Sequence, residues 1–305
     1  MLHIIVNPAA STGHGTRIWA EVKNYLEKEH IEYDVKFTTR GGSARIYARE
    51  ITSGTEHIQL IILGGDGTVN EVIDGIRDFS LVTLGYIPAG SSNDLARDMR
   101  LEHDPQKAVA AILHPKEYAY MDIGKITYEN TEKRFVVSTG IGYDAAICHE
   151  ALFSPLKKVL NRFGLGKLTY VGIALKQLAK MKKCGCTVIL DDSKKIYLER
   201  LMFVTTMIHK YEGGGIMICP DADYKDQLLN VCVVGNLSRL RVLRILPTAY
   251  SGKHTRFKGI NTYTAKKVTV ISDTKMAVHA DGESCGMQTK ISMQLEPAQL
   301  RLIVR

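Results

Sequence analysis

The sequence feature that most constrains the fold is a short apolar run that stops in a glycine-rich turn. The run Leu60 to Leu63 leads directly into Gly64 to Thr68, with the sequence G-G-D-G-T. Such a run predicts a buried strand, and glycines without a Cβ let the backbone approach a phosphate closely. Helical spacing over Val69 to Arg77 then places a helix N-terminus after the turn, where unpaired N–H groups attract anions. We therefore predict a strand, a phosphate loop and a helix, because a plain turn seldom needs this sequence.

The same pattern of short strands, small-residue loops and helices continues up to about residue 120. Four predicted strands end in loops rich in small or polar residues, which are Asn7 to Gly15, Thr38 to Ser43, Gly64 to Asn70 and Gly90 to Asp94. Alternating strands and helices predict an open parallel α/β sheet. The loops at the carboxyl ends of its strands meet at one crevice, so we predict a nucleotide site there.

Beyond Met121 the sequence becomes rich in strand patterns. The predicted strands include Arg134 to Gly140, Ile196 to Ile208, Tyr263 to Ser272, Lys275 to Ala280 and Gln288 to Val304. The predicted fold class is therefore α/β plus β: an N-terminal open α/β nucleotide-binding domain and a C-terminal, mostly antiparallel β domain. We place the first domain at residues 1–121, completed by the C-terminal strand, and the second at 122–305.

Composition narrows the class of protein. The net charge is +8 over 305 residues, with a pI near 9.0, which suits an anionic partner. No apolar run approaches the ~20 residues of a membrane span, and no signal-peptide pattern follows Met1, so we expect a cytoplasmic protein. The six scattered cysteines predict buried free thiols rather than disulfides or zinc ligands.

One basic segment interrupts the strand-rich part. Ala151 to Leu190 contains no Asp or Glu, but it carries Lys157, Lys158, Arg162, Lys167, Lys176, Lys180, Lys182 and Lys183 among apolar residues. A basic amphipathic helix of this kind lies on an anionic bilayer surface. The alternative is a helix packed on the sheet with solvated lysines.

Three acidic groups are candidates for chemistry. Phosphoryl transfer needs backbone donors, a metal held by carboxylates and a base at the acceptor hydroxyl. Asp66 offers a carboxylate for Mg²⁺. Asp94 either orients the nucleotide or the acceptor, or is only the first residue of a helix. The stretch His279 to Glu283 offers a base, or else only a D-G hairpin turn. Asp221 to Asp226 offers oxygen ligands for Mg²⁺ or Ca²⁺, or else an acidic surface turn.

These motifs occur in a recognisable order. Seven stretches carry the resemblance: Asn7-Pro8, Gly64 to Thr68, Pro88 to Asp94, Gly140 to Asp144, Gly213 to Gly215, Pro220 to Leu229 and Asp281 to Glu283. Taken together, the chain resembles the diacylglycerol kinase catalytic-domain family, and most closely its soluble bacterial lipid kinases. That family also includes sphingosine and ceramide kinases, whereas G-G-D-G-T alone would equally fit NAD kinases and resembles the phosphofructokinase loop.

The resemblance implies an ATP- and Mg²⁺-dependent lipid kinase with an NAD kinase-like nucleotide domain and a C-terminal β-sandwich domain. The implied reaction converts diacylglycerol to phosphatidic acid at an anionic membrane surface. The implied protein is cytoplasmic and peripherally associated with the membrane, and homodimers occur among its relatives. Alternatives are a kinase of a sphingoid base, of another lipid or of NAD, and a non-catalytic lipid- or nucleotide-binding regulator. Nucleic acid is not an expected partner, because no recognition motif accompanies the positive charge.

Site residues follow from the resemblance position by position. The implied ATP contacts are Asn7, Ser11, Gly13, Thr38, Thr39, Gly64, Gly65, Asp66, Gly67, Thr68, Asn70, Ser91 and Asn93. The implied catalytic residues are Glu283 as the general base, Asp281 beside it and Asp66 in the Mg²⁺ and phosphate network. A structural Mg²⁺ site would use Asp223, Asp226 and the main-chain carbonyl of Leu228. The chain departs from the family at a longer first loop, at Ser91 in place of threonine, and at Gln227 in place of glycine.

Overall fold

The first unit of the protein is an α/β layer built on a mostly parallel sheet. The structure of the whole protein is a computed structural model that describes residues 2–153, 166–180 and 182–305. The elements in order are β1 (Leu2–Val6), α1 (Ala10–Lys28), β2 (Tyr33–Phe37), α2 (Ser43–Ile51), β3 (Ile58–Gly64), α3 (Asp66–Gly75), a 3-10 helix (Phe79–Leu81), β4 (Val82–Pro88), α4 (Asp94–Asp98), α5 (Pro105–Leu113) and β5 (Tyr118–Met121). The strand order is β2-β1-β3-β4-β18-β5, where β18 (Leu300–Ile303) is the last strand of the chain.

The apolar run that opened the sequence analysis lies at the centre of this sheet. β3 pairs in parallel with β1 on one side and with β4 on the other. Leu60 and Ile62 belong to the core on one face of the sheet, and Ile61 and Leu63 belong to the core on the opposite face. All four side chains are fully buried, which explains an unbroken apolar run in a strand covered on both faces.

The second unit is organised on a ten-stranded sheet whose pairings are antiparallel. Its elements are β6 (Gly124–Tyr128), β7 (Thr131–Phe135), β8 (Ser138–Gly142), α6 (Tyr143–Phe153), α7 (Gly166–Lys180), β9 (Cys186–Leu190), β10 (Lys194–Leu198), β11 (Leu201–Met207), β12 (Tyr211–Glu212), β13 (Ile216–Met217), β14 (Leu229–Gly235), α8 (Arg239–Ile245), two 3-10 helices (Leu246–Ser251 and Lys253–Arg256), β15 (Ile260–Ala265), β16 (Lys267–Ala280) and β17 (Glu283–Leu295). The predicted fold class, α/β followed by antiparallel β, is confirmed.

The C-terminal strand returns to the first unit. β18 pairs in parallel with β4 and antiparallel with β5, so the last residues of the chain complete the sheet that β1 begins. The functional division at residue 121 into a nucleotide domain and a lipid domain stays a prediction.

Several predicted boundaries are wrong. The run Ile196 to Ile208 is not one strand, because β10 and β11 are separate and pair with different partners. The run Tyr263 to Ser272 spans the end of β15 and the start of β16, and the predicted break before Lys275 is instead a register shift inside β16. The runs Arg134 to Gly140 and Gln288 to Val304 are likewise two strands each, β7 with β8 and β17 with β18. The helix after the glycine turn begins at Asp66, not at Val69.

The structure bears on the expectations for the cysteines, for membrane spans and for the basic segment. All six cysteines lie in the described ranges; none forms a disulfide, and all but Cys148 are buried. Within the described residues, no helix is both long and apolar enough to cross a membrane. The predicted basic segment falls partly outside the described residues, including Lys157, Lys158 and Arg162; in its described part Lys176 pairs with Glu150.

Candidate active site

The glycine turn after β3 lies against the loop after β4. A Cβ added at Gly90 would lie 2.5 Å from the Cα of Gly65, and one added at Gly64 would lie 2.6 Å from the Cβ of Thr68. Both distances are too short for a side chain, so Gly64 and Gly90 must be glycine for the turn and the loop to pack this closely. The turn opens into α3, whose first N–H groups have no intrahelical acceptors and favour an anion.

Direct contacts bring the first loop to the same place. The Asn7 amide Nδ2 donates to Thr68 Oγ1 at 2.9 Å, and the hydroxyls of Ser11 and Ser91 lie 3.1 Å apart. Ser11, Thr12 and Gly13 have φ of 45°, 62° and 96°, so they form a left-handed turn inside the nominal first turn of α1. This turn accommodates the loop's extra length and directs Ser11 towards the loop after β4.

The loop after β2 joins through α3. The backbone N–H groups of Gly42 and Ala44 donate to the two carboxylate oxygens of Glu71 at 2.9 and 3.2 Å. Thr38 N donates to Val6 O at 2.8 Å, which places Thr38 beside the end of β1, while Thr39 N donates to the Ser43 hydroxyl at 3.2 Å. All four predicted loops therefore lie at the same edge of the sheet.

Asn93 stabilises the loop after β4 from within. Its Oδ1 accepts from Gly90 N and its Nδ2 donates to Gly90 O, both at 2.9 Å. Its φ of 49° is in the left-handed region, which Asn tolerates better than most residues. Asn93 thus shapes the loop through its own polar atoms, and its predicted contact with ATP stays a prediction.

Asp66 is the acidic group at the centre of the crevice. Its Oδ2 accepts from Asp94 N at 3.2 Å, whereas its Oδ1 is buried and has no hydrogen-bond partner within the described part of the chain. Burial, and next the nearby Asp94 carboxylate, raise the pKa of Asp66 to about 6. An acidic oxygen that is buried, unpartnered and beside another carboxylate is a suitable ligand for a cation.

Asp94 connects the two units. It begins α4, as the capping alternative predicted, yet its side chain is only 5% exposed and its Oδ2 accepts from Gly214 N at 2.8 Å. Gly214 lies in the glycine-rich turn between β12 and β13 of the second unit. Burial raises the pKa of Asp94, opposed by the Gly214 N–H. The same residue is therefore a helix start and a site residue.

Asp281 occupies the hairpin turn between β16 and β17. Asp281 and Gly282 have φ of 47° and 80°, and the residues on either side of them pair across the hairpin, so the turn alternative is correct in geometry. Its side chain does more. The Asp281 oxygens accept from four donors, which are Val136 N at 2.6 Å, Val137 N at 2.8 Å, Ser138 N at 2.8 Å and Asn70 Nδ2 at 2.6 Å. Burial nevertheless raises the pKa of this carboxyl.

Asn70 is the residue that ties this turn to the glycine loop. It lies in α3 with no exposed surface, and Nδ2 also donates to Arg134 O at 3.1 Å. Its contact with Asp281 joins elements 211 residues apart in the sequence. The structure thus brings the predicted phosphate loop and the predicted catalytic turn together.

Glu283 begins β17 on the far side of the turn. Its side chain is 37% exposed and forms an ion pair with Lys133 of β7, which is 12% exposed. The carboxylate is accessible to a bound molecule and has a cation beside it. Lys133 was not identified from sequence, because nothing near it in the chain marks its side chain as a partner of the hairpin turn.

A second buried cluster lies directly beneath the turn. His279 Nε2 lies 3.4 Å from both Asp144 Oδ2 and Glu212 Oε1, and His279 Nδ1 lies 3.2 Å from Gly282 N. Burial alone lowers the pKa of His279, but Glu212 and Asp144 outweigh it and raise this pKa to about 9. A histidine held between two carboxylates therefore lies against the backbone of the turn. No local spacing in the sequence links these three residues.

The predicted structural metal ligands lie on one loop before β14. Asp226 Oδ1 accepts from Leu228 N at 2.9 Å. Gln227 has φ of 60°, so this residue adopts the left-handed backbone conformation that favours the glycine found at this position in the family. Gln227 N donates to Asp122 at 2.8 Å. Burial, with contributions from Asp223 and Asp226, raises the pKa of Asp122.

This loop has the donor chemistry of a hard cation site. Among the described residues, Asp122, Asp223 and Asp226 form no ion pair with a basic side chain, so their charge favours a cation. They do not bring three acidic, His or Cys donors within 4.8 Å; among described residues, that spacing occurs for Cys148, Glu212 and His279. The assignment of Asp223, Asp226 and Leu228 as metal ligands stays a prediction.

Two protein-family models match the chain. Residues 1–126 match the model of the diacylglycerol kinase catalytic domain, and residues 137–304 match the YegS C-terminal NAD kinase beta sandwich-like domain. The diacylglycerol kinase of Mycobacterium tuberculosis is 29% identical over 305 residues, covering 98% of this chain and 93% of that one. The diacylglycerol kinase of Staphylococcus saprophyticus is 28% identical over 284 residues, covering 93% and 88%.

Solved structures show the same fold. A diacylglycerol kinase structure from Bacillus anthracis has a TM-score of 0.71 at 20% identity, covering 100% of this chain and 96% of that one. An NAD kinase from Archaeoglobus fulgidus, in complex with ATP, has a TM-score of 0.53 at 13% identity, covering 99% and 93%. The fold and the two matching domains define the class, an enzyme of the lipid kinase type. The chain belongs to the diacylglycerol kinase family.

Proposed function

We propose that this protein transfers the γ-phosphate of MgATP to the hydroxyl of diacylglycerol, giving phosphatidic acid. The observation that carries the proposal is the hydrogen bond from Asn70 of α3, the helix that follows the glycine turn, to Asp281 of the hairpin turn. A phosphate crevice and a turn that carries an accessible carboxylate then belong to one site. The relatives named diacylglycerol kinase support this acceptor.

The nucleotide would lie on the glycine turn, with its phosphates towards the N-terminus of α3. Gly65 and Gly90 let the two loops that form the crevice pack closely on each other, and the Ser11 and Ser91 hydroxyls are at the rim of the same crevice. The other predicted contacts with ATP are proposals on the same basis. Mg²⁺ fits beside Asp66, whose buried Oδ1 lacks a partner among described residues; when bound, it would neutralise phosphate charge.

Proton removal is assigned to Glu283. Its exposed carboxylate accepts the proton of the acceptor hydroxyl as the phosphoryl group is transferred. Lys133 holds that carboxylate in place through their ion pair. Asp281 fixes the turn through its four hydrogen bonds, so its role is to position Glu283 rather than to accept the proton.

The acceptor is tested by a panel. ADP release from MgATP would be measured with diacylglycerol in vesicles that contain anionic lipid, and separately with sphingosine, ceramide, undecaprenol and NAD. We expect the largest kcat/KM on diacylglycerol, and no release by Asp66→Asn. Faster turnover on another acceptor would replace the substrate, whereas ATP binding without any turnover would favour a regulator.

A further inference from the structure

One surface of the second unit combines exposed apolar and basic side chains. It runs from Ser238 to Lys258, through α8 and the two 3-10 helices that follow it, and we refer to it as the 238–258 surface. Its exposed apolar side chains are Leu240, Leu243, Leu246, Tyr250 and Phe257, of which Leu240 is 75% and Tyr250 60% exposed. Its exposed basic side chains include Arg241, Arg244, Lys253, Arg256 and Lys258.

The outward orientation of these side chains is fixed by buried anchors. Val242, Ile245, Ala249 and His254 are buried, and the three helical pieces pack against one another. Ser238 accepts from Arg241 N and caps α8, while His254 Nε2 lies 3.0 Å from Ile218 O. The surface is therefore a built part of the fold.

The charge of this surface identifies the kind of partner. From Gln227 to Ser272 the sequence contains no Asp or Glu. Within the described residues, no acidic side chain forms an ion pair with Arg241, Arg244, Lys253, Arg256 or Lys258. Single exposed apolar residues are ordinary, but several beside unpaired cations are typical of a face that lies at an anionic bilayer.

The aliphatic side chains distinguish a bilayer from a nucleic acid. Leu240, Leu243 and Leu246 have no π-face on which a base would stack, and no base-reading motif accompanies the arginines. The same leucines can enter the boundary between lipid headgroups and acyl chains. The observations therefore favour a lipid surface over RNA or DNA.

The surface also adjoins the candidate active site. Gly252 packs against Pro220 and Met217, where an added Cβ would lie 2.7 Å from Pro220 Cγ and 2.9 Å from Met217 Sδ. Met217 ends the β12–β13 hairpin, whose Gly214 N–H binds Asp94. We propose that the 238–258 surface docks on an anionic bilayer and so presents this hairpin and its site to the membrane. This inference rests on the proposed function, and it concerns residues separate from the basic segment at 151–190.

The test compares two docking variants with a charge-matched control. Arg241→Glu/Arg244→Glu reverses two charges on the surface, and Leu240→Ser/Tyr250→Ser removes apolar contact without changing charge. Lys107→Glu/Lys290→Glu makes the same charge change at two exposed lysines elsewhere. Binding is measured by cosedimentation with phosphatidylcholine vesicles, with and without phosphatidylglycerol.

We expect wild type and the control to bind only vesicles with phosphatidylglycerol. Losing two basic residues weakens binding by on the order of 30-fold, and the two added carboxylates weaken it further by repulsion from the anionic lipid. The apolar variant weakens binding by about tenfold. Equal binding by Arg241→Glu/Arg244→Glu and the control would overturn the proposal. So would wild-type binding to an RNA or DNA oligonucleotide but not to these vesicles.

A second readout separates this proposal from the proposed function. All variants should phosphorylate a short-chain, water-soluble diacylglycerol at the wild-type rate, while the docking variants slow on vesicles. No turnover on either substrate would refute the proposed function and leave cosedimentation to decide on the surface. Docking variants that lose turnover on the soluble substrate would overturn the docking role, because the residues would then act on the site itself.

Discussion

The replacement Asp281→Asn tests whether the hairpin turn is held by its carboxylate. Oδ1 of Asp281 accepts from Val137 N and Ser138 N, and Oδ2 accepts from Val136 N and Asn70 Nδ2. An amide of the same shape keeps one acceptor oxygen and turns an NH₂ group towards two donors. Losing two hydrogen bonds to a charged group costs about 3–6 kcal/mol. Relief from burying a charge offsets part of this cost, so we expect about 2–4 kcal/mol of lost stability.

Urea unfolding would be followed by far-UV circular dichroism and by fluorescence of Trp19, the one tryptophan of the sequence. Asp191→Asn is the matched control, because the exposed Asp191 Oδ1 also accepts from two backbone N–H groups, those of Lys266 and Lys267. There one amide oxygen can serve both donors, and we expect a loss below about 1 kcal/mol. Turnover by Asp281→Asn should fall more than about tenfold because Glu283 is displaced. Equal stability losses for the two variants, with normal turnover by Asp281→Asn, would refute this account.

Three further outcomes follow from the charges of the site. Glu283→Gln should lower kcat by about 10²- to 10⁴-fold while ATP binding, measured by calorimetry, is retained, since a general base contributes this much; wild-type turnover would remove it from that role. Because the pKa of Asp66 is raised to about 6 and its ionised form is needed, kcat/KM should fall as the pH drops through 6. Asp94→Asn should move this limb to lower pH, and an unmoved limb would contradict the stated cause. His279 has a pKa raised to about 9, so its stabilising contribution, on the order of 3 kcal/mol, is complete below pH 6.5 and lost as the pH rises to 9. In the His279→Gln variant, the midpoint of urea unfolding should change less with pH between 6.5 and 9 than it does in wild type. The same dependence on pH in both proteins would contradict this prediction.

Local sequence determines the part of the site that could be predicted. The G-G-D-G-T turn is fixed by neighbours in the chain, because an apolar run, close backbone approach and a helix start are all visible within a dozen residues. The D-G pair at Asp281 was equally visible as a hairpin turn. What the sequence could not show is that the Asp281 carboxylate reaches Asn70, since this contact closes only when β16 lies beside the first unit.

Long-range partners explain the remaining differences. The pairing of Lys133 with Glu283, and of His279 with Asp144 and Glu212, joins residues with no periodic relation in the chain. Apolar residues on both sides of Glu199 and Arg200 suggested one strand over 196–208, because both β10 and β11 bury side chains in the same core. Periodicity reports burial, and it does not report which strand is the partner.

The most direct test of the central claim is the transfer of labelled γ-phosphate from MgATP to diacylglycerol, with the lipid product identified by mass spectrometry. Wild type, Asp66→Asn and the control Asp78→Asn, which alters an exposed carboxylate of the same unit, would be compared on the same vesicles. We predict one phosphatidic acid per ADP released by wild type and by the control, and none by Asp66→Asn. Label that appears in phosphatidic acid at the same rate with Asp66→Asn, or ADP release without a lipid product, would contradict the account.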